Sequence, residues 1–249
     1  MPKTSNSSYD SIAGLYNKLW ADWYLPAALP ALESLFFSRV PAGSHVLDLC
    51  CGSGHVTREL VRRGYSVTGI DASAELIKLA REALPNVDLQ VQNACDFSLS
   101  EPVDAALSTF DSLNHILQLA DLKRAFVNVH RALKCGGLFV FDMNLHEAYT
   151  ADLQRWVVNM DDANVSLVRG SYSPIDQLAS TELIWFIKTD GSDCWRQNRS
   201  VVKQRCYEEA DIVESLAKAG FKDISSVPGP EAGLNSELEF GRLFVSARA

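Results

Sequence analysis

Two glycines and an acidic residue at the end of an apolar run are the first residues of this chain that could do chemistry. The run Val46–Leu49 leads into Gly52 and Gly54, and a helical pattern of apolar residues begins at Val56. This pattern predicts a strand, a tight turn and a helix, in which glycine permits positive φ and lets a ligand approach the helix N-terminus. Glycine pairs also close ordinary strand-to-helix loops, so a purely structural turn is an alternative at this point.

Acidic residues stand at or near the ends of five predicted strands. Strands alternate with helical patterns as far as residue 144, which predicts a parallel sheet with helices on both faces. Ligands of such sheets bind beyond the carboxyl ends of the strands, so these acids are expected to meet at one site. They are Asp48, Asp71, Asp96, Asp111 and Asp142.

Two of these acids favour an adenosine as ligand. Asp71 lies 17 residues beyond Gly54, where a carboxylate, which only accepts hydrogen bonds, can take both ribose hydroxyls. Asp96 suits the amino group of adenine, and Phe97 offers the base a backbone N–H and an apolar face.

Composition and charge restrict the class of partner. The 249 residues include 23 Lys and Arg against 31 Asp and Glu, a net charge of −8 that disfavours nucleic acid. The apolar runs are too short to cross a bilayer, and the polar first residues predict no signal peptide. Six cysteines without a C-x-x-C pair indicate buried thiols in a reducing compartment and no metal site. We therefore expect a cytoplasmic monomer or homodimer with no membrane partner.

Two segments outside the predicted core could surround a ligand. The aromatic residues before the first strand predict a helical lid, although they could equally staple the segment to the core. After the fifth strand the pattern alternates with a period near two, which predicts an antiparallel insertion. Its aromatic residues Trp185, Trp195 and Tyr207 could form a wall of a substrate cavity, or its polar face could simply meet solvent. The predicted division is 1–39 for tail and lid, 40–148 for the core, 149–206 for the insertion and 207–249 for a last helix and two strands.

The motifs resemble those of class I S-adenosylmethionine-dependent methyltransferases. The run Val46–Gly54 is similar to their first motif, Gly69-Ile70-Asp71 to the second, Asp96-Phe97 to the adenine-binding motif, and Leu133–Gly137 to the turn before the fifth strand. The resemblance implies an α/β fold with a Rossmann-like seven-stranded methyltransferase sheet, an N-terminal helical lid and an inserted antiparallel β segment after strand 5. It also implies S-adenosyl-L-methionine as cofactor and S-adenosyl-L-homocysteine as product. Cys50 stands where the family usually has glycine.

The resemblance also implies roles for the cofactor-binding residues. The two glycines leave space for the methionine part, Asp48 holds its ammonium, Asp71 the ribose, and Asp96 with Phe97 the adenine. Two tyrosines match a pattern, Tyr-Asp-x-x-Ala-x-x-Tyr, that is common ahead of the core in small-molecule members, and could close over the sulfonium. The predicted cofactor-binding set is Tyr9, Tyr16, Asp48, Cys50, Gly52, Gly54, Asp71, Ala72, Asp96, Phe97, Asp111 and Ser112.

Catalysis needs a general base only if the acceptor must lose a proton. His115 is the first candidate because it follows the fourth strand near the expected methyl position, and Asp111 accompanies it; a histidine satisfied by helix-start hydrogen bonds is the alternative. Further candidates are Asn144, Tyr16 and Tyr207.

The acceptor is expected to be a small molecule methylated on nitrogen or oxygen. Phe110-Asp111-Ser112 stands where many nucleic-acid methyltransferases have Asn-Pro-Pro-Tyr, and the ending Gly241–Val245 is loosely similar to bacterial sugar-amine N-methyltransferases. One alternative is a nicotinamide-dependent oxidoreductase, which the turn Gly52-x-Gly54-x-x-Thr57 disfavours because the third glycine of the dinucleotide fingerprint is absent. The other is a binding module that holds S-adenosylmethionine without catalysis.

Overall fold

The computed structural model contains two β-sheets, one with seven strands and one with four. The structure describes Ser7 and residues 9–19, 21–150, 155–162, 164–189, 193–234 and 240–249, apart from the side chains of residues 18, 19 and 21–23. The described strands are β1 (His45–Leu49), β2 (Ser66–Asp71), β3 (Asp88–Val91), β4 (Val103–Ser108), β5 (Leu133–Asn144), β6 (Val157–Met160), β7 (Asn164–Ser173), β8 (Leu178–Lys188), β9 (Trp195–Arg205), β10 (Lys222–Pro228) and β11 (Arg242–Arg248).

The seven-stranded sheet has the order β10-β11-β5-β4-β1-β2-β3. The first five strands pair in parallel, as alternating strands and helices predict. Strand β11 lies beyond the alternating region and runs antiparallel to both β5 and β10. Among the described residues between β10 and β11, the helical segment is the four-residue α8 (Gly229–Ala232), which is too short to return the chain for parallel pairing.

Helices pack on both faces of this sheet. Apolar residues at helical spacing fill the two sides, where Phe126 on one helix and Leu60 on another are fully buried. The helices before β10 are α1 (Ala13–Leu19), α2 (Ala21–Leu32), α3 (His55–Arg62), α4 (Ala74–Ala83), α5 (Leu119–Ala132), α6 (His146–Thr150) and α7 (Glu209–Ala219), with a π-helical turn at Glu33–Phe37 and a 3₁₀ turn at Ser112–His115.

The glycine pair Gly136-Gly137 lies inside β5 and does not cap a helix. The sequence pattern places a left-handed C-cap there, but α5 ends at Ala132 and Leu133 is already extended. Gly136 does have a positive φ of 76°, and its N–H donates to the carbonyl of Ala249 across the sheet. The prediction fails because the strand starts before the glycines, which then serve a bend inside it.

The N-terminal segment is attached to the core as well as to the insertion. Tyr24, Leu32 and Phe36 are buried in the same apolar cluster as β1 and β4. Ahead of them, Ile12 is buried against the second sheet beside Leu183. The aromatic segment is therefore packed against the core, and its first turn contacts the second sheet as well.

The second sheet has the order β6-β7-β8-β9 and is antiparallel throughout, as the period-two pattern predicts. Its edge strand β6 was not expected. The predicted hairpin turn at Asp190-Gly191 lies outside the described residues. Trp185 is buried against Ile12, whereas Trp195 is 43% exposed, so the expectation that Trp195 walls a cavity is wrong.

Neither a membrane span nor a metal cluster is found in the part of the chain that the structure describes. No helix there is long and apolar enough to cross a bilayer. No group of three or more His, Cys, Asp or Glu residues there is placed to hold a metal ion.

Candidate active site

A cavity of about 620 Å³ lies at the carboxyl ends of the parallel strands and extends to the second sheet. We call its first part the turn half, which is lined by Cys50, Gly52, Asp71, Ala72, Asn93 and Ala94. We call its second part the insertion half, which is lined by Asp111, His115, Val168, Thr181, Leu183, Val202 and Gln204. The two halves are continuous, so a ligand of the strand ends can meet a second molecule held by the insertion.

The loop after β1 turns sharply because three of its residues have positive φ. Cys50, Gly52 and Gly54 have φ values of 62°, 56° and 85°. A Cβ on Gly54 would lie 3.1 Å from Leu84 and 3.3 Å from Ala80, so the glycine also permits close packing of α4. Cys50 adopts the left-handed conformation without being glycine, a local strain of about 1 kcal/mol.

Asp71 at the end of β2 closes the turn half. Its two carboxylate oxygens accept hydrogen bonds from the backbone N–H of Gly52, at 2.9 Å, and of Ser73, at 2.8 Å. Asp71 also lines the cavity, and a carboxylate there suits the two adjacent hydroxyls of a ribose because it only accepts hydrogen bonds. Burial raises the pKa of Asp71, although the backbone donors oppose this effect.

Asp48 lies beneath the turn and accepts a 2.5 Å hydrogen bond from the Thr57 hydroxyl. Burial raises its pKa to about 7, so it ionises with difficulty unless a cation arrives. A small second cavity of about 30 Å³ lies here, lined in part by Asp48, Tyr16 and His55. The ammonium of an amino acid fits this donor and acceptor set.

The two residues predicted to hold adenine do not line the cavity. Asp96 is exposed, and Phe97 is buried in the main core. Asn93 and Ala94, three and two residues before Asp96, line the turn half instead. The Asn93 side chain accepts from the N–H of Cys95 at 2.8 Å, which shapes this loop. The adenine role of Asp96 and Phe97 stays a prediction.

Four described residues of the N-terminal segment, Ser7, Tyr9, Ile12 and Tyr16, line the cavity. Asp10 accepts from the Ser73 hydroxyl at 2.7 Å, at the start of α4. Tyr9 and Tyr16 line the cavity, with ring centroids 5.5 Å apart in an edge-to-face arrangement. Burial raises the pKa of both phenols, so they stay neutral and can donate hydrogen bonds. The segment therefore touches both halves of the site.

A buried ionic triad forms the floor beneath the insertion half. The Arg242 guanidinium contacts Asp142 and lies 2.8 Å from Asp111 Oδ1. Tyr24 also donates to Asp142, at 3.0 Å. Burial lowers the pKa of Arg242, but the two carboxylates more than offset this, so it stays charged. Asp142 further accepts from the backbone N–H of Asp111, which holds a residue whose φ is 47°.

His115 faces the cavity with an accepting nitrogen. Its Nδ1 lies 3.0 Å from the carbonyl oxygen of Lys203, so Nδ1 carries the proton. Its Nε2 then accepts from the Tyr9 hydroxyl at 2.9 Å and lies 3.2 Å from the Gln204 amide nitrogen. Enclosure by protein atoms lowers the pKa of His115, although Asp111 opposes this, and the ring is neutral at pH 7.

The other predicted site residues divide between the cavity and the core. Ser112 and Asn144 line the cavity, and the Ser112 hydroxyl donates to the carbonyl of Thr109 at 2.7 Å. Tyr207 does not line it, because its hydroxyl donates to the carbonyl of Ile116 at 2.5 Å. The structure thus removes Tyr207 from the set of candidate bases.

Sequence reasoning missed two residues of the insertion half. Gln204 donates to Asp111 and lies beside His115, and Arg242 joins Asp111 to Asp142. Each had a signal in the sequence. Gln204 has the same parity in its strand as the buried Val202, and Arg242 is a charged residue opening an apolar strand.

Comparisons with known proteins agree with this geometry. A family profile described as a methyltransferase domain matches residues 46–137. A ubiquinone biosynthesis O-methyltransferase of Xanthomonas axonopodis pv. citri is 30% identical over 203 residues, which cover 76% of this chain and 82% of that protein.

Two solved structures have the same fold. The CcbJ methyltransferase of Streptomyces caelestis has a TM-score of 0.78 at 20% identity, covering 98% of each chain. SAM-bound CalS10, an amino pentose methyltransferase of Micromonospora echinaspora, has a TM-score of 0.71 at 21% identity, covering 98% of this chain and 97% of that one. Together with the seven-stranded sheet and the ribose-compatible Asp71, the O-methyltransferase relative identifies the family. The chain belongs to the class I S-adenosylmethionine-dependent methyltransferases, with S-adenosylmethionine as cofactor.

Proposed function

We propose that this chain methylates a small molecule, on an amine nitrogen first and on a hydroxyl oxygen as the second candidate. The observation that carries the proposal is the continuity of the turn half with the insertion half, since it places His115 and Asp111 in the same cavity as Gly52 and Asp71. The bound cofactor supplies an electrophilic methyl group on sulfur.

The cofactor is placed by the residues of the turn half. Asp71 accepts from the ribose hydroxyls, Asp48 takes the ammonium, and Gly52 leaves the backbone accessible to the methionine part. Cys50, Gly54 and Ala72 complete the turn, and Ser112 with Asp111 lies toward the sulfonium. Tyr9 and Tyr16 cover that end with aromatic faces, which favour a cation. The adenine lies against Asn93 and Ala94, with Asp96 and Phe97 as predicted partners.

His115 orients the acceptor and receives its proton. Its Nε2 has one lone pair, which the Tyr9 hydroxyl occupies at 2.9 Å. An acceptor N–H takes the place of that hydroxyl, and the nitrogen lone pair then points away from His115 toward the methyl position. Because Nδ1–H donates to the Lys203 carbonyl, the ring keeps the orientation that this contact requires.

The lowered pKa of His115 favours nitrogen over aliphatic oxygen. A neutral amine already presents a lone pair, and its conjugate acid has a pKa of about 10. An aliphatic hydroxyl resembles water, whose pKa of about 16 is far above that of a neutral imidazole. The hydroxyl stays a candidate if its acidity is raised by conjugation.

The two other functional classes receive less support. The Thr57 hydroxyl bonds Asp48 at the position where dinucleotide-binding turns have glycine, which argues against a nicotinamide enzyme. A binding module without catalysis would have no need of a histidine held by three contacts at the edge of the methyl position.

The N-terminal segment and the insertion are proposed as parts of the site with separate roles. Ser7 and residues 9–19 form a lid that covers the cofactor, and β7 to β9 form the wall that receives the acceptor. A chain of this kind excludes water from the reacting atoms when the segment is closed.

The proposal is tested by turnover on a panel of small amines and hydroxyl compounds. Purified chain with S-adenosylmethionine is expected to release S-adenosylhomocysteine and to add one methyl group to an amine, measured by mass spectrometry. Binding of S-adenosylhomocysteine with no transfer to any panel member would contradict the proposed acceptor class, and transfer only to hydroxyls would favour the second candidate.

A further inference from the structure

The strands of the second sheet place apolar side chains toward the cavity and charged ones away from it. Successive side chains of a strand point to opposite faces. Val168, Leu183 and Val202 line the cavity. Their neighbours Arg169 and Glu182 therefore point outward, where they pair at 2.8 Å.

A second ion pair lies on the outer face of the four-stranded sheet. Arg199 lies on the outward parity of β9 and contacts Glu182 at 2.5 Å. Lys203, between the inward Val202 and Gln204, has the same outward parity. These three cations, Arg169, Arg199 and Lys203, are thus directed to the face opposite the cavity.

The rest of the inner wall is neutral. Thr181 pairs with Val202 across β8 and β9 and adds a hydroxyl. Ile12 from the N-terminal segment packs against Leu183 and completes an apolar surface. A ligand in the insertion half therefore meets side chains that favour an uncharged body.

The charge of the insertion half is negative. Among the described residues that line the cavity, Arg242 is the only basic side chain of the Lys or Arg type. It is 3% exposed and contacts both Asp111 and Asp142. One guanidinium facing two carboxylates leaves one net negative charge. The rings of Tyr24 and Phe110, 5.6 Å and 5.9 Å from the guanidinium carbon, cover the cation further.

We propose that the acceptor is a small amine on an uncharged, mainly apolar body, and that the insertion half disfavours acceptors that carry a phosphate or a nucleoside diphosphate. This inference rests on the function proposed above and names the substrate class of the same site. A phosphate is held best by cations, and the cations Arg169, Arg199 and Lys203 of this wall point outward. It would also meet the net negative charge of the triad at short range and low dielectric.

A matched pair of probes tests the inference. The chain saturated with S-adenosylhomocysteine is titrated by calorimetry with trans-4-aminocyclohexanol and with trans-4-aminocyclohexyl phosphate. The two differ only in the phosphate, and we expect the phosphate ester to bind about 100-fold more weakly, as the repulsion of near charges predicts. Equal or tighter binding of the ester would overturn the inference, and so would binding of neither probe.

Two neighbouring residues provide the matched variants. Val202→Arg puts a cation on the inner wall, and Val201→Arg puts one on the outer face, where Val201 is 44% exposed. We expect Val202→Arg to reduce the difference between the probes by about tenfold, since an arginine binds phosphate directly, and Val201→Arg to leave it unchanged. If the affinity difference between the two probes changed equally in both variants, the assignment of β7 to β9 as the wall that receives the acceptor would be overturned.

A second inner position protects the test against misfolding. If Val202→Arg loses its far-ultraviolet circular dichroism, Thr181→Lys replaces it, because Thr181 lies opposite Val202 on the same face. Methyl transfer to the amino alcohol is measured separately. Discrimination against the phosphate without any transfer would contradict the proposed function and support the charge assignment, whereas transfer to the phosphate ester at equal kcat/KM would contradict the charge assignment alone.

Discussion

The hydroxyl oxygen of Tyr9 lies 2.9 Å from Nε2 of His115, across 106 positions of sequence. The N-terminal segment therefore occupies the one lone pair of the imidazole that faces the cavity. Any acceptor that bonds to His115 must displace this hydroxyl, so the position of the segment and the availability of the base are coupled. Turnover of such an acceptor thus requires Tyr9 to move.

Replacement of His115 is expected to slow turnover without lowering the affinity for the cofactor. His115→Ala removes the proton acceptor, and kcat/KM for the amine should fall by about 100-fold or more, the range of general-base effects. Steady-state kinetics at saturating S-adenosylmethionine measure this. The matched control is Tyr9→Phe, which removes only the competing donor and should lose less than His115→Ala. Unchanged kcat/KM in His115→Ala would show that the reaction needs no general base and that catalysis comes from positioning the substrates.

The pH dependence of the same step follows from the lowered pKa of His115. The protonated ring cannot accept a proton, so kcat/KM should rise as pH increases through a value below 6.5. A pH profile over the acid range checks this. Because the amine itself loses its proton only at about pH 10, kcat/KM should still rise with pH in His115→Gln, but the steeper fall below the His115 pKa should vanish. A steeper fall that persists there would belong to another group of the enzyme.

Asp48 is expected to make the chain less stable as pH rises. Burial raises its pKa from the ordinary value of 3.8 to about 7. A carboxyl with a raised pKa binds its proton more tightly when folded, so its contribution to the unfolding free energy is full below about 4 and is lost as pH rises through about 7. Asp48→Asn should therefore gain stability relative to the parent between about pH 4 and about pH 7, measured by urea unfolding.

An exposed carboxylate serves as the control for this experiment. Asp88 starts β3 and is exposed, so Asp88→Asn removes a surface carboxylate and leaves the buried Asp48 in place. Parallel stability profiles for Asp48→Asn and the parent would show that Asp48 does not titrate in this range.

Loss of Arg242 is expected to destabilise the fold. Arg242→Ala leaves Asp111 and Asp142 buried without their cation, which costs about 3–5 kcal/mol by analogy with other buried pairs. Urea unfolding at neutral pH measures the difference. Arg248 at the far end of β11 contacts only the carbonyl of Gly136 among the described polar contacts, so Arg248→Ala should cost less than about 1 kcal/mol, the value of one exposed hydrogen bond. An equal loss of unfolding free energy in the two variants would show that the triad does not stabilise the fold.

Asp71 is expected to dominate cofactor affinity. Asp71→Ala removes the acceptor for two ribose hydroxyls, and the Kd for S-adenosylhomocysteine should rise by about 100-fold, because hydrogen bonds to a charged group contribute about 1.5–3 kcal/mol each. Calorimetric titration measures this. Unchanged affinity would show that the ribose lies elsewhere.

The adenine contact can be tested in the same way. The sequence resemblance assigns it to Asp96, although this side chain is exposed and outside the cavity wall. Asp96→Ala should weaken binding by about tenfold if one hydrogen bond to the adenine amino group is lost. A loss below about threefold would assign the base to the loop of Asn93 and Ala94 instead.

The sheet and the turn half were predictable because their signals are local. Apolar runs mark β1 and β2, and the glycines at 52 and 54 have the positive φ that the turn requires. The antiparallel β11 was not predictable from such patterns, since strand direction depends on the connection and not on the strand itself. The C-cap assigned to Gly136 failed because a glycine with positive φ serves equally well inside a bent strand.

The insertion half was harder to predict because its contacts join distant residues. Gln204 meets Asp111 across 93 positions, and Arg242 meets Asp142 across 100. The alternating pattern within one β-strand indicates which face each side chain lies on, but it does not indicate which distant residue that side chain contacts. His115 was found because it follows a strand end, where location alone is informative.

The buried triad has a consequence for how the chain is made. Its members are at positions 111, 142 and 242, and the cation in β11 is synthesised 100 residues after Asp142. A nascent chain that stops before Arg242 contains two carboxylates destined for burial and no countercharge for them. The floor of the site can therefore assemble only after β11 has emerged from the ribosome and inserted between β10 and β5. Truncation before residue 242 should thus leave the first strands able to collapse but the acceptor pocket unformed.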